Sequence, residues 1–139
     1  MSDIRHSTAD CAPSRVLLVE PEPLAREVIT GTLDAAGLVV DSASTLQAEI
    51  DVLVSPPAIL VAEADLATGG VDGLALAGEA RQRWPNLGVV FITGRPLSRL
   101  DGHVLGRRDR FVVRPVAPLA VVRAVRGLLS AVPSRRTAA

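Results

Sequence analysis

A chain of 139 residues, 48% of them apolar and with zero net charge at pH 7, is large enough to build one packed core without disulfides or metal. The single cysteine, Cys11, excludes an internal disulfide framework, and two Phe, one Trp and no Tyr make the core aliphatic and leave no aromatic platform for stacking on bases. No stretch of about 20 apolar residues is present to span a membrane, and residues 1–10 lack the apolar centre of a signal peptide, so the expected location is the cytoplasm.

The zero net charge hides a lopsided distribution. Residues 1–94 hold 13 acids and 5 Arg, whereas residues 95–139 hold 10 Arg and 2 acids, so the two parts carry −8 and +8. All fifteen basic residues are Arg. An Arg-rich face suits acidic partners, self-association with the acidic part, or nucleic acid; the plain alternative is a solvated surface with a basic tail.

Residues 1–14 are polar and without period, and are expected to form a flexible leader. Residues 16–19, Val-Leu-Leu-Val, form a continuous apolar run of the kind that parallel strands buried on both faces show, and the run ends in Glu20. Pro21 breaks it, and Pro23 suits the first turn of a helix whose inner face is expected to hold Leu24, Val28, Ile29 and Leu33, with Gly37 as its stop. Residues 38–40 predict a second strand. Ser44 or Thr45 then caps a helix with Leu46, Ile50 and Leu53 inward, ended by Pro56 and Pro57.

Residues 59–62 predict the central strand, which delivers Glu63 and Asp65 into a Gly-rich loop. Asp72 is a candidate N-cap for a helix with Leu74, Ala77, Ala80 and Trp84 inward. Residues 89–92 form the fourth apolar run and end in Thr93. Pro96, Gly102 and Gly106 interrupt the next segment, so a fourth helix is expected to be short or irregular. Residues 111–113 predict the fifth strand, ending in Arg114. From Pro118 a last helix carries Val121, Val122, Val125, Leu128 and Leu129 on one stripe, and residues 131–139 read as a flexible tail. Strands alternating with helices imply one α/β domain over residues 15–130, a five-stranded parallel doubly wound sheet with right-handed crossovers. Ligands of such sheets bind beyond the carboxyl ends of the strands, which is where Glu20, Glu63, Thr93 and Arg114 fall.

Four segments carry a more specific likeness: Val-Leu-Leu-Val-Glu-Pro-Glu-Pro (16–23), Ile-Leu-Val-Ala-Glu-Ala-Asp-Leu (59–66), Phe-Ile-Thr-Gly (91–94) and Phe-Val-Val-Arg-Pro (111–115). In order and spacing they resemble the receiver domains of response regulators, flavodoxin-like modules that take a phosphoryl group from a histidine kinase onto an Asp after the third strand. The resemblance places the phosphoacceptor position on Glu63, the phosphoryl-binding hydroxyl on Thr93, the conserved Lys on Arg114 and the switch aromatic on Phe111. It places the acidic Mg²⁺-binding pair on Glu20 and Pro21. Phosphoryl transfer rests on positioning and charge neutralisation, so each departure from the family pattern matters. The extra methylene of Glu63 moves the carboxylate by about 1.5 Å, and a misplacement of ~1 Å can cost about a hundredfold. Pro21 supplies no carboxylate, leaving Glu20 and Glu63 as the metal oxygens and a weak Mg²⁺ site or none. Arg114 keeps the charge in the form of a planar fork, able to clamp Glu63 in a bidentate pair.

The expectation is an atypical, stand-alone receiver in a two-component phosphorelay. It acts by contacts with a histidine kinase or another signalling protein, is not an enzyme, and has impaired or absent phosphorylation. Its partner or homodimer surface is expected on the basic side, at Arg95, Arg99, Arg123 and Arg126. One alternative is a working phosphoacceptor that uses Glu63 or Asp65 with Mg²⁺. Another, of a different class, is a nucleic-acid-binding module using the Arg-rich C-terminal part, which the lack of aromatics and the zero net charge oppose. His6 and His103 have no metal-ligand partner at sensible spacing.

Overall fold

In a computed structural model of the chain, residues 14–45, 56–63, 73–94, 106–114 and 116–131 are described. They form β1 (Arg15–Val19), α1 (Pro23–Ala35), β2 (Val39–Ala43), β3 (Ile59–Glu63), α2 (Gly73–Arg83), β4 (Gly88–Thr93), β5 (Asp109–Val113) and α3 (Pro118–Ala131). The five strands pair in parallel in the order β2-β1-β3-β4-β5. The helix expected over residues 46–53 and most of the short or irregular fourth helix lie outside the described residues.

Each apolar run becomes a strand because a parallel strand covered by helices on both faces can bury both sets of its alternating side chains. Leu17, Val19, Leu60, Ala62, Val89 and Phe91 point to the side of α2, where Leu76, Ala77 and Ala80 meet them. Val16, Leu18, Ile59, Val61, Val90 and Ile92 point to the other side, against Ile29 and Leu33 of α1 and Val121, Val122, Val125 and Leu128 of α3. The result is three layers with an aliphatic core on each face of the sheet. Gly88 belongs to the second layer, where a Cβ would stand 2.9 Å from Ile59 Cδ1.

Several boundaries differ from the sequence reading, for local reasons. β2 starts at Val39 and runs on through Asp41 and Ser42, because the Arg15 side chain on β1 forks onto the Asp41 carboxylate from Nε at 3.3 Å and Nη2 at 3.2 Å. β5 begins two residues early, at Asp109, which pairs with Val89. On α1, Ile29 and Leu33 are buried, but Leu24 and Val28, expected inward, are 69% and 54% exposed. The sheet takes only one edge of that stripe. On α2, Leu76 is buried and Leu74 and Trp84 only partly so.

The helix ends follow rules of satisfied backbone groups. At the C-terminus of α1, Gly37 adopts φ 89°, the Leu38 N–H donates to Leu33 O and the Gly37 N–H to Asp34 O. This is the Schellman arrangement that glycine permits without strain. Arg126 of α3 reaches the same end, donating from Nη2 to Ala36 O at 3.0 Å.

The end of the sheet opposite the acids is tied by Arg81. Its guanidinium donates to Leu87 O, Arg108 O and, at 2.7 Å, Asp109 Oδ1, while Asp109 Oδ2 accepts the Gly106 N–H at 2.9 Å. Burial, with the nearby Arg81 and Arg110 guanidiniums, lowers the pKa of Arg108 from its ordinary value. Asp109, only 4% exposed, is thus the acid set among these cations. Asp109→Ala leaves the part-buried Arg81 charge without its carboxylate and the Gly106 N–H without its acceptor, and urea unfolding should show a loss of about 2–3 kcal/mol. A loss below ~0.5 kcal/mol would show the network to be ornamental.

Candidate functional site at the carboxyl edge of the sheet

β1 and β3 are neighbours at the centre of the sheet, so the acids at their ends come side by side. Glu63 is the last residue of β3 rather than a loop residue, and pairs with Ile92. The strand pleat decides its company. Ile59, Val61 and Glu63 alternate onto the face of α1 and α3, and so do Val112 and then Arg114 beyond β5. The Arg114 N–H donates to Thr93 O at 2.8 Å, prolonging the ladder by one bond and fixing where its side chain starts. From there the Arg114 guanidinium closes an ion pair with the Glu63 carboxylate.

The environment makes this contact a requirement. Glu63 is 7% exposed, and a carboxylate taken so far out of water needs a positive partner or a proton. Among the described residues no further hydrogen bond reaches Glu63 Oε2, so Arg114, whose side chain is 43% exposed, is its compensation.

Glu20 is still more buried, at 5%, and plays a different part. Its N–H donates to Ala43 O at 3.0 Å, and its Oε2 accepts the Glu22 N–H at 3.0 Å, so the carboxylate holds the turn that leads into α1. Glu22 is the N-cap of that helix, accepting the Ala25 N–H on Oε1 at 2.7 Å; Pro23 stands in the first turn, where it gives up no needed donor. Arg26, one turn further, swings back and donates from Nη1 to Glu20 O at 2.7 Å and to Pro21 O at 3.5 Å. The sequence reading named Glu20 and Pro21 but passed over Arg26. The available signal was its spacing of four from Glu22, which places it over the start of the helix.

These side chains line a cavity of about 380 Å³ between α1 and the start of α3, with Glu20, Glu22, Glu63 and Arg114 as its polar lining and Leu24, Ala25, Val28, Ile29, Ile92, Val116 and Pro118 as its apolar one. The exposed Leu24 and Val28 thus form one of its walls.

Thr93 and Phe111 belong elsewhere. Thr93 is fully buried at the end of β4 and does not line the cavity; the pleat sets it on the side of Phe91. Phe111 pairs with Phe91 across β4 and β5, their rings stacked 5.1 Å apart at 24°. Asp65, Arg95 and Arg99 lie outside the described residues. Arg123 is exposed on α3, and Arg126, also exposed, spends one donor on Ala36 O. Among the described residues no group of three or more His, Cys, Asp or Glu could hold a metal ion, and no helix is long and apolar enough to cross a membrane.

No protein-family model matches the sequence, and a search of curated proteins found no match. Solved structures do match in three dimensions. A response regulator receiver protein from Sinorhizobium medicae superposes with a TM-score of 0.73 at 23% identity, covering 87% of this chain and 98% of its own. A response regulator receiver domain protein from Methanospirillum hungatei does so with a TM-score of 0.71 at 18% identity, over 86% and 95%. The chain has the receiver fold. A third example, a response regulator from Thermotoga maritima in complex with Mg²⁺-BeF, has a TM-score of 0.67 at 22% identity, over 83% and 98%. The cavity described above lies at the carboxyl edge of this receiver fold, the edge where open α/β sheets take ligands.

The two roles assigned to Glu20, holding a backbone N–H and carrying charge, separate by substitution. Glu20→Gln keeps an acceptor for the Glu22 N–H, whereas Glu20→Ala leaves it without one, so thermal unfolding should show Ala less stable than Gln by about 1–2 kcal/mol. Equal stabilities would assign Glu20 to charge alone.

Proposed function

We propose that the protein is a receiver module of two-component signalling that works through contacts with other signalling proteins, a histidine kinase among them, and accepts a phosphoryl group poorly or not at all. It is a signalling domain and not an enzyme. The observation that carries this reading is the Glu63–Arg114 ion pair. At the position where the receiver fold presents its phosphoacceptor, the chain has a carboxylate that is already paired with the guanidinium of Arg114. A nucleophile so clamped is poorly aligned and poorly available. The same pair keeps a negative group and its cationic partner permanently in contact, so Glu63 stands in for the charge that phosphorylation would install.

Mg²⁺ is bound weakly or not at all on this reading. The contact surface is the exposed basic side of α3, with Arg123 its clearest free cation and Arg126 beside it, together with Arg95 and Arg99; the same surface serves a homodimer. The domain spans residues 15–130.

Intact mass after incubation with a small phosphodonor and millimolar Mg²⁺ tests the phosphorylation part. The expected result is no gain. A gain of one phosphate that disappears in Glu63→Gln or Asp65→Asn would replace this reading with that of a working phosphoacceptor. For the contact surface, Arg123→Glu should weaken kinase binding or self-association by about tenfold, a loss of ~1.4 kcal/mol, with unfolding temperature unchanged. Binding that survives the charge reversal would move the interface elsewhere.

A further inference from the structure

Four of the described oxygens at this edge already have protein donors. Glu20 Oε2 accepts the Glu22 N–H, Glu20 O and Pro21 O accept Arg26 Nη1, and Glu63 Oε2 faces Arg114. Pro21 brings no side-chain oxygen to replace any of them. Mg²⁺ requires near-octahedral oxygen coordination at short distance and gives up its own water reluctantly. The described residues do not fit that ion.

We infer that this pocket carries its own counter-charge: the guanidiniums of Arg114, on the Glu63 carboxylate, and of Arg26, on the Glu20 and Pro21 carbonyls, take the place of a divalent cation. Arg114 pairs with the Glu63 carboxylate and Arg26 holds the backbone carbonyls of Glu20 and Pro21, so two positive charges already stand among the carboxylates of Glu20, Glu22 and Glu63. A guanidinium is weakly hydrated and presents several donors in a plane, so it satisfies carbonyl and carboxylate oxygens without an octahedral cage. A divalent ion brought into the same space meets two fixed positive charges and must displace Arg114 from Glu63 to find a ligand. The inference deepens the receiver reading, since Mg²⁺-BeF is what a solved protein of this fold holds.

The experiment is a titration of the full chain with Mg²⁺, and with Mn²⁺ as a paramagnetic probe, followed by amide NMR. The wild type should show no saturable shift or broadening at residues 20–22 and 63 at millimolar metal. Arg114→Gln frees the Glu63 carboxylate and should gain a saturable response there, with an affinity at least about tenfold above wild type. Arg26→Gln, which frees the Glu20 and Pro21 carbonyls, should gain a smaller response at residues 20–22 and carries the test if Arg114→Gln fails to fold. Saturable Mg²⁺ binding by the wild type overturns the inference, as does a folded Arg114→Gln that binds metal no better than wild type. Either result leaves the receiver reading to stand or fall on its own phosphodonor and partner experiments.

Discussion

A carboxylate buried at the end of a parallel strand has to find a positive charge, and much of this molecule is arranged around that demand at Glu63. The strand that carries it is apolar throughout and covered by helices on both faces, so it cannot offer water. Compensation must come from a neighbouring strand end, and the sheet order leaves β5, two strands away, to deliver it through a long side chain. An Arg spans that gap from a position just past the ladder, held there by the backbone bond to Thr93. Fold and pocket are therefore one problem: the register that buries the core is also the register that brings Arg114 to Glu63.

The same economy explains where the lopsided charge goes. Arg114, from the basic part of the chain, is taken up by Glu63 of the acidic part; Arg81, from the acidic part, is taken up by Asp109 of the basic part. Arg126 spends a donor on the C-terminus of α1. Fewer guanidiniums are thus left to solvent among the described residues than the sequence count of Arg suggests, with Arg123 of α3 exposed. The cavity between α1 and α3 combines the Glu63–Arg114 ion pair with an aliphatic wall that includes the exposed Leu24 and Val28.

Most of the architecture was legible because the strands are short apolar runs with acids, Thr or Arg at their ends, a pattern that only a sheet buried on both faces produces. Glu20, Glu63, Thr93 and Arg114 could be placed at one edge from that pattern alone. Three things could not. The pleat divides those four residues between the two faces of the sheet, and this depends on strand bounds that shift by one residue, as at Glu63. The Arg81–Asp109 bridge joins positions 28 apart and the Arg126–Ala36 bond positions 90 apart, with no local signal for either. Arg26 went unnamed because the carbonyls it serves are backbone groups, leaving its spacing from Glu22 as the available cue.

The claim on which the rest depends is that Glu63 and Arg114 act as a pair, and a double-mutant cycle over Glu63→Gln and Arg114→Gln, read by urea unfolding at low and high salt, tests it most directly. A pair in which one member is buried should couple by about 2 kcal/mol, above the ~0.2–1 kcal/mol of exposed pairs, and should weaken only modestly with salt. The double variant should then be more stable than the sum of the single losses implies. Additive losses, with no coupling beyond ~0.3 kcal/mol, would contradict the account, leaving Glu63 a buried acid with some other means of support.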